Sequence, residues 1–193
     1  MQLEATLSGY LWRPLTASEE DTGFILSMRN MPVAREAFFS GRITREDHLR
    51  FVQLAEERDE INWIIENNGE RVGASGIYKI DRNNRRAEVG RFVAVDPELH
   101  ILNYVVAAYV VFEHLGLNKV VGEALAANRV SNRQLERLGI VLEGTFREHV
   151  FKDGVAHDLA MYGTLASDWR RMRSAVYAQF GEPRLVRHVH EYL

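Results

Sequence analysis

The stretch "VAVDPELHILNYVVAAYVVFEHLGL", Val93 to Leu117, decides how this chain folds. It reads as the end of a strand, a short turn Asp96-Pro97-Glu98-Leu99-His100, and a helix that runs to Leu115 and stops at Gly116. The helix is apolar nearly all round, and a helix of that kind is buried. Strand-like segments flank it at 85–95 and 119–126. It is therefore the crossover that joins two neighbouring parallel strands.

Downstream, "NRVSNRQLERLG" reads as a short helix closed by Gly139, and two strands follow around the turn "KDG" at 152–154. Upstream, "EINWIIEN", "RVGASGIYKID" and "RAEVGRFVAV" are three strands with short polar turns, an antiparallel meander. Before them come a strand at 7–14, a helix from Thr16 or Ser18 to about Asn30 ended by Met31-Pro32, and a helix capped by Thr44 with Asp47 three residues on. The sum is a mixed α/β (α+β) fold: a central sheet of about seven strands with helices packed over both faces. Residues 1–169 form the domain. The tail 170–193, rich in arginine, is a helical extension that serves either as a solvated helix or as a homodimer contact.

The 193 residues suit one domain with a sizeable core. A net charge of -3 gives no basic surface for nucleic acid, and the absence of cysteine excludes disulfides, thiolate metal sites and a cysteine nucleophile. The longest apolar block, Ile101 to Phe112, is broken by Asn103 and is far short of the roughly 20 residues that span a bilayer. With no basic-then-apolar leader at its start, the expectation is a cytoplasmic protein without membrane partners.

A resemblance sharpens this. Asn128 with Ser131, then Glu136-Arg137-Leu138-Gly139, Glu143-Gly144, Arg147-Glu148-His149, Asp153-Gly154, His157-Asp158, Tyr162 and Asp168-Trp169 follow one another as in the GNAT-superfamily N-acetyltransferases. The resemblance covers roughly residues 8–169. It is strongest to the branch that holds ribosomal-protein alanine acetyltransferases and amino-sugar nucleotide acetyltransferases. "MRN" at 28–30 and "ITREDHLRF" at 43–51 are similar to the amino-sugar group. The element order reached from the residues alone is also the GNAT order.

The resemblance implies acyl transfer from acetyl-CoA, or another acyl-CoA, to a primary amine, with no metal. An ammonium cannot attack a carbonyl until something takes its proton. Glu88 is the candidate base. Strict alternation puts Glu88, Gly90, Phe92 and Ala94 on one face of its strand and Val89, Arg91, Val93 and Val95 on the other. A carboxylate on a central strand serves either as a base in a pocket or as half of a structural ion pair. The resemblance further implies that backbone groups of Phe92, Val93, Ala94 and Val95 hold the pantetheine arm, in a splay between this strand and strand 119–126. Asn128 faces that arm or caps the helix 129–138, and Ser131 lies close to the sulfur. Many relatives carry a tyrosine where this chain has Leu135, so the general acid is Ser131, Tyr162 or water.

For the acceptor, Arg29, Asn30, His48 and Tyr78 are the candidates, Arg29 as a planar fork for the phosphate of a sugar nucleotide. The nucleotide-linked amino sugar is the first expectation and the N-terminal amine of a protein the second. A third reading is a GNAT-like binding protein without turnover. It arises because the turn 96–100 lacks the glycines that let backbone N–H groups approach the CoA pyrophosphate. Asp96, Pro97 and Glu98 instead give the helix an acidic start of its own. His100, if protonated, together with Asn103 and Tyr104, would have to replace the lost contacts; alternatively the donor is an acyl carrier protein. His149 and His157 lack a third ligand at fitting spacing.

Overall fold

The computed structural model describes residues 2–96 and 99–189. Ser8 and Gly9 both have positive φ (51° and 82°), the conformation of the tight turns that join antiparallel strands. They fold Gln2–Leu7 (β1) onto Tyr10–Pro14 (β2), so the single strand expected at 7–14 is a hairpin. Glu19–Arg29 (α1) starts at Ser18, whose side chain accepts from the Asp21 N–H. Pro32 does not only end that helix: it occupies the first turn of a short helix, Pro32–Ala37 (α2), where its missing N–H costs nothing. Arg45–Glu57 (α3) carries the full capping box between Thr44 and Asp47.

The meander follows as Ile61–Asn67 (β3), Glu70–Asp81 (β4) and Arg86–Ala94 (β5). Leu99–Tyr109 (α4) continues into a π-helical turn, Val110–His114, before Lys119–Leu125 (β6). Arg129–Arg137 (α5), Val141–Lys152 (β7), Val155–Leu165 (β8), Ala166–Phe180 (α6) and Arg184–Val189 (β9) complete the chain. The sheet order is β7-β8-β6-β5-β4-β3-β2-β1-β9. Among the described residues only β5 and β6, joined by the α4 crossover, pair in parallel. The nine strands exceed the expected seven through the β1–β2 hairpin and through β9. The tail, expected to be helical, thus runs as the rest of α6 and then adds a strand to the sheet edge at β1.

The main core lies between the sheet and the α4 and α6 side, with Trp12, Trp63 and Trp169 fully buried. Each indole N–H finds an acceptor, as burial requires: Asn103 Oδ1 at 3.1 Å, Leu3 O at 2.7 Å and Glu113 Oε1 at 2.9 Å. A second cluster, Ile25, Met28, Ile64, Ala74 and Val93, seats α1 on the opposite face.

Candidate active site

The site begins where two strands part. β5 and β6 pair only over Arg86↔Lys119, Ala87↔Val120 and Glu88↔Val121, although β5 continues to Ala94 and β6 to Leu125. β6 stays paired with β8 along its whole length, so it is the seam between β5 and β6 that opens. Past Glu88 the β5 backbone makes no ladder with β6 among the described residues.

A bulge then turns the rest of β5. Its register to β4 passes from Gly76↔Gly90 to Ala74↔Val93, so that Arg91 and Phe92 face the single residue Ser75, with Arg91 at φ 56°. An extra residue reverses the alternation beyond it. Val93 packs under α1, while Phe92 and Ala94 join Ala87 and Val89 on the α4 side. The expected sharing of one face by Glu88, Phe92 and Ala94 is therefore corrected. Arg91 lies on the α1 and α3 side, stacked on Tyr78 (3.9 Å) and Phe51 (4.9 Å) and paired with Glu60. A Cβ at Gly90 would stand 2.8 Å from the Tyr78 hydroxyl, so any side chain there would displace that ring.

Glu88 sits at the apex of the seam, its side chain 13% exposed. Lys79 Nζ lies 2.8 Å from Oε1, and Oε2 is buried without a hydrogen-bond partner. Lys79 reaches it through a second bulge, where Tyr78↔Glu88 is followed by Asp81↔Arg86 and Lys79 takes φ 48°. The same ammonium stands 3.8 Å from Glu123 on β6. Burial, and next the charge of Glu88, raise the Glu123 carboxyl above its ordinary value. Sequence reasoning missed Glu123. Its only signal is the parallel register, which places it two residues beyond the partner of Glu88.

Glu88 lines two spaces at once. One is a groove of about 410 Å³ that also meets Tyr78, Phe92, His100, Glu123 and Ser131. The other is an open cleft of about 800 Å³ bounded by Asp81, Arg86, Lys119 and Glu143. At the groove, Asn128 caps α5: its Oδ1 accepts from the Ser131 N–H at 3.1 Å. Its Nδ2 donates to Ser131 Oγ at 2.8 Å, which leaves the hydroxyl proton free to be donated onward. Tyr162 is 2% exposed, packed in the main core, and lines neither space.

For an acyl-CoA, the residues fit one end and not the other. The open seam, with Phe92 to Ala94 along it and Ser131 opposite, suits a narrow pantetheine arm; Val95 has left it, donating its N–H to Val72 O at 2.8 Å. The residues named for the diphosphate do not reach one. Asn103 is 3% exposed and its Oδ1 accepts from Trp12 and Ser75. Tyr104 is buried and donates to Thr164 Oγ1 at 2.9 Å. His100 is packed edge-on against Phe92, and burial pushes its pKa down to about 4, so it is neutral at pH 7. Pro97 and Glu98 lie outside the described residues.

The acceptor candidates divide as well. Tyr78 lines the groove, with burial raising its hydroxyl pKa. Asn30 is a clip: Nδ2 donates to Ile43 O and Oδ1 accepts from Ile43 N, both at 3.0 Å, so it is corrected as a substrate contact. Arg29 and His48 meet in a cavity of about 250 Å³ between α1, α3 and the sheet. No helix among the described residues is long and apolar enough to cross a membrane.

Comparison with known proteins bears on the family and the fold. Over 104 residues the chain is 31% identical to a Bacillus subtilis (strain 168) protein named as ribosomal N-acetyltransferase YdaF, which is 52% of this chain and 57% of that one. Over 117 residues it is 29% identical to an uncharacterized N-acetyltransferase of the same organism, YoaA, covering 58% and 66%. The matches thus span less than two thirds of either relative. A GCN5-related N-acetyltransferase from Brucella melitensis superposes with a TM-score of 0.76 at 22% identity, covering 91% of this chain and 84% of that chain. Spermidine N-acetyltransferase from Vibrio cholerae, in complex with CoA and spermine, does so at 0.73 and 20%, covering 84% and 99%. Those structures share the fold. The family model of the acetyltransferase (GNAT) domain matches residues 11–141, and the chain belongs to the GNAT acetyltransferase family.

Proposed function

We propose that the chain is an acyl-CoA-dependent N-acyltransferase that acetylates a primary amine, with Glu88 as the base. The observation that carries this reading is the seam that opens between β5 and β6 immediately beyond Glu88. A bound acyl-CoA would supply a thioester carbon open to attack by an amine. Glu88 Oε2, buried and without a partner, is the oxygen placed to take the ammonium proton. Lys79 Nζ on Oε1 marks how closely an amine approaches this carboxylate. Backbone N–H groups of the open β5 edge are donors for a developing oxyanion. The Ser131 hydroxyl, with its oxygen already accepting from Asn128, offers its hydrogen to the departing sulfur.

Among acceptors, the N-terminal amine of a protein draws support from the relative named for ribosomal acetylation. The nucleotide-linked amino sugar rests on 28–30 and 43–51, where Asn30 is already committed to Ile43. A cytoplasmic setting, where acyl-CoA is made, suits either acceptor.

Calorimetric titration with acetyl-CoA comes first, followed by turnover with short peptides and with a nucleotide-linked 4-amino sugar. Glu88→Gln should lower turnover about a hundredfold or more while the circular dichroism spectrum is unchanged. Unchanged turnover would remove Glu88 as base. Binding of acetyl-CoA without turnover on any amine would favour a binding role for the domain.

A further inference from the structure

Arg29 and His48 leave an electrostatic question in the cavity that they share. The His48 side chain is 3% exposed, yet its Nε2 has no hydrogen-bond partner. Arg29 Nε is likewise buried and unpartnered. The rest of the Arg29 guanidinium stacks on Phe38 at 3.5 Å and donates to Ser40 Oγ at 2.7 Å. No carboxylate pairs with it among the described residues, and the neighbouring charge is that of Arg91, which repels it. Burial, and next that repulsion, lower the Arg29 pKa to about 10. Arg91 differs: Glu60 holds it at 2.5 Å. Asp47, the one acid on the cavity wall, is turned back onto Thr44, accepting from its N–H at 2.8 Å and its hydroxyl at 2.7 Å. The remaining wall is mainly apolar, with Ile25, Ile43, Phe51, Trp63 and Val93.

A half-buried cation without a counter-charge is costly, and so is each buried, unpaired polar atom on it or beside it. We infer that this cavity is a binding site for a small carboxylate on an apolar skeleton, gripped by the Arg29 fork and His48 Nε2. A guanidinium matches a carboxylate in two parallel hydrogen bonds. The apolar walls and a volume of about 250 Å³ suit a short hydrocarbon body. Arg29, Ser40 and Arg91 line both this cavity and the groove of Glu88. A carboxylate here would therefore belong to the molecule whose amine reaches Glu88. Only that last identification rests on the acyl-transfer reading.

The test uses the whole chain without acyl donor. Phenylacetate, its uncharged isostere phenylacetamide and inorganic phosphate are titrated in turn by calorimetry. Phenylacetate should bind at least tenfold more tightly than either of the others. Arg29→Met should abolish that binding and Arg29→Lys should weaken it about tenfold, the lysine variant guarding against loss of fold. Equal binding of phenylacetamide, preference for phosphate, no binding of phenylacetate, or no effect of either variant would each overturn the assignment. Glu88→Gln should leave phenylacetate binding unchanged, so a failure of catalysis and a failure of this site are read separately.

Discussion

Helix α1 carries a charge near each end, Asp21 buried and Arg29 half-buried, and the two are treated in opposite ways. In its first turn Asp21 is fully buried and accepts from Arg13 at 2.7 and 2.8 Å, from Arg71 at 2.8 Å, and from the hydroxyl and N–H of Thr16 at 2.8 and 3.0 Å. In its last turn Arg29 has one hydroxyl, one aromatic face and no acid. A charge supplied with every partner it can use belongs to the scaffold. A charge left short of partners, inside a cavity that adjoins the proposed base, is a place for something the chain does not itself provide.

The comparison breaks most visibly at Asp21. Asp21→Ala would leave Arg13 and Arg71 converging on an empty site and should cost about 3–5 kcal/mol in chemical denaturation. A cost under about 1 kcal/mol would mean that this cluster does not hold α1 to the sheet.

Acid sharpens the contrast next. Burial alone would raise the Asp21 carboxyl, but Arg13, Arg71 and Thr16 together hold it well below the usual carboxylate range. Its stabilisation is present above the unfolded pKa of about 4 and is lost only as the pH falls towards the depressed folded value. The buried histidines act earlier. Burial lowers the pKa of His48 and brings that of His100 to about 4, whereas the unfolded chain protonates near 6.5. The unfolded state therefore binds more protons between about pH 6.5 and 4, and stability falls across that window as pH falls. Thermal melts should show Tm dropping below pH 6.5, and His100→Phe should flatten that limb. A Tm unchanged down to pH 4.5 would contradict the burial of both rings.

The smallest effect is expected at Arg29. Arg29→Met removes an unpaired charge and should leave the ligand-free protein as stable as before, or more stable by about 1 kcal/mol. A loss above about 2 kcal/mol would show that the contacts to Phe38 and Ser40 outweigh the desolvation of the guanidinium.

The legible parts of the molecule were those set by near neighbours. Thr44 with Asp47 and Asn128 with Ser131 are caps whose partners lie three residues on, so reading along the chain found them. Glu88 was legible because a carboxylate in a central strand stands out against its apolar neighbours. Asn103 and Tyr104 were misread as cofactor contacts. A helix apolar all round does not reveal which few polar groups face inward, and here Trp12, Ser75 and Thr164, distant in sequence, claim them.

By itself, then, the sequence determined the elements from the meander to β8, the α4 crossover between two parallel strands and, through its resemblance, the family to which the chain belongs. The elements and the crossover follow from periodicity, turn residues and caps, which act over a few residues, and the family from the ordered residues Asn128 to Trp169 that resemble it. The tertiary structure alone decided the site. Where β5 and β6 part, that Glu123 comes to stand near Glu88, that bulges at Lys79 and Arg91 re-aim their side chains, and that Arg29 is left without an acid all depend on strand register and helix seating. Those are set by packing between segments tens of residues apart, and no local pattern records them.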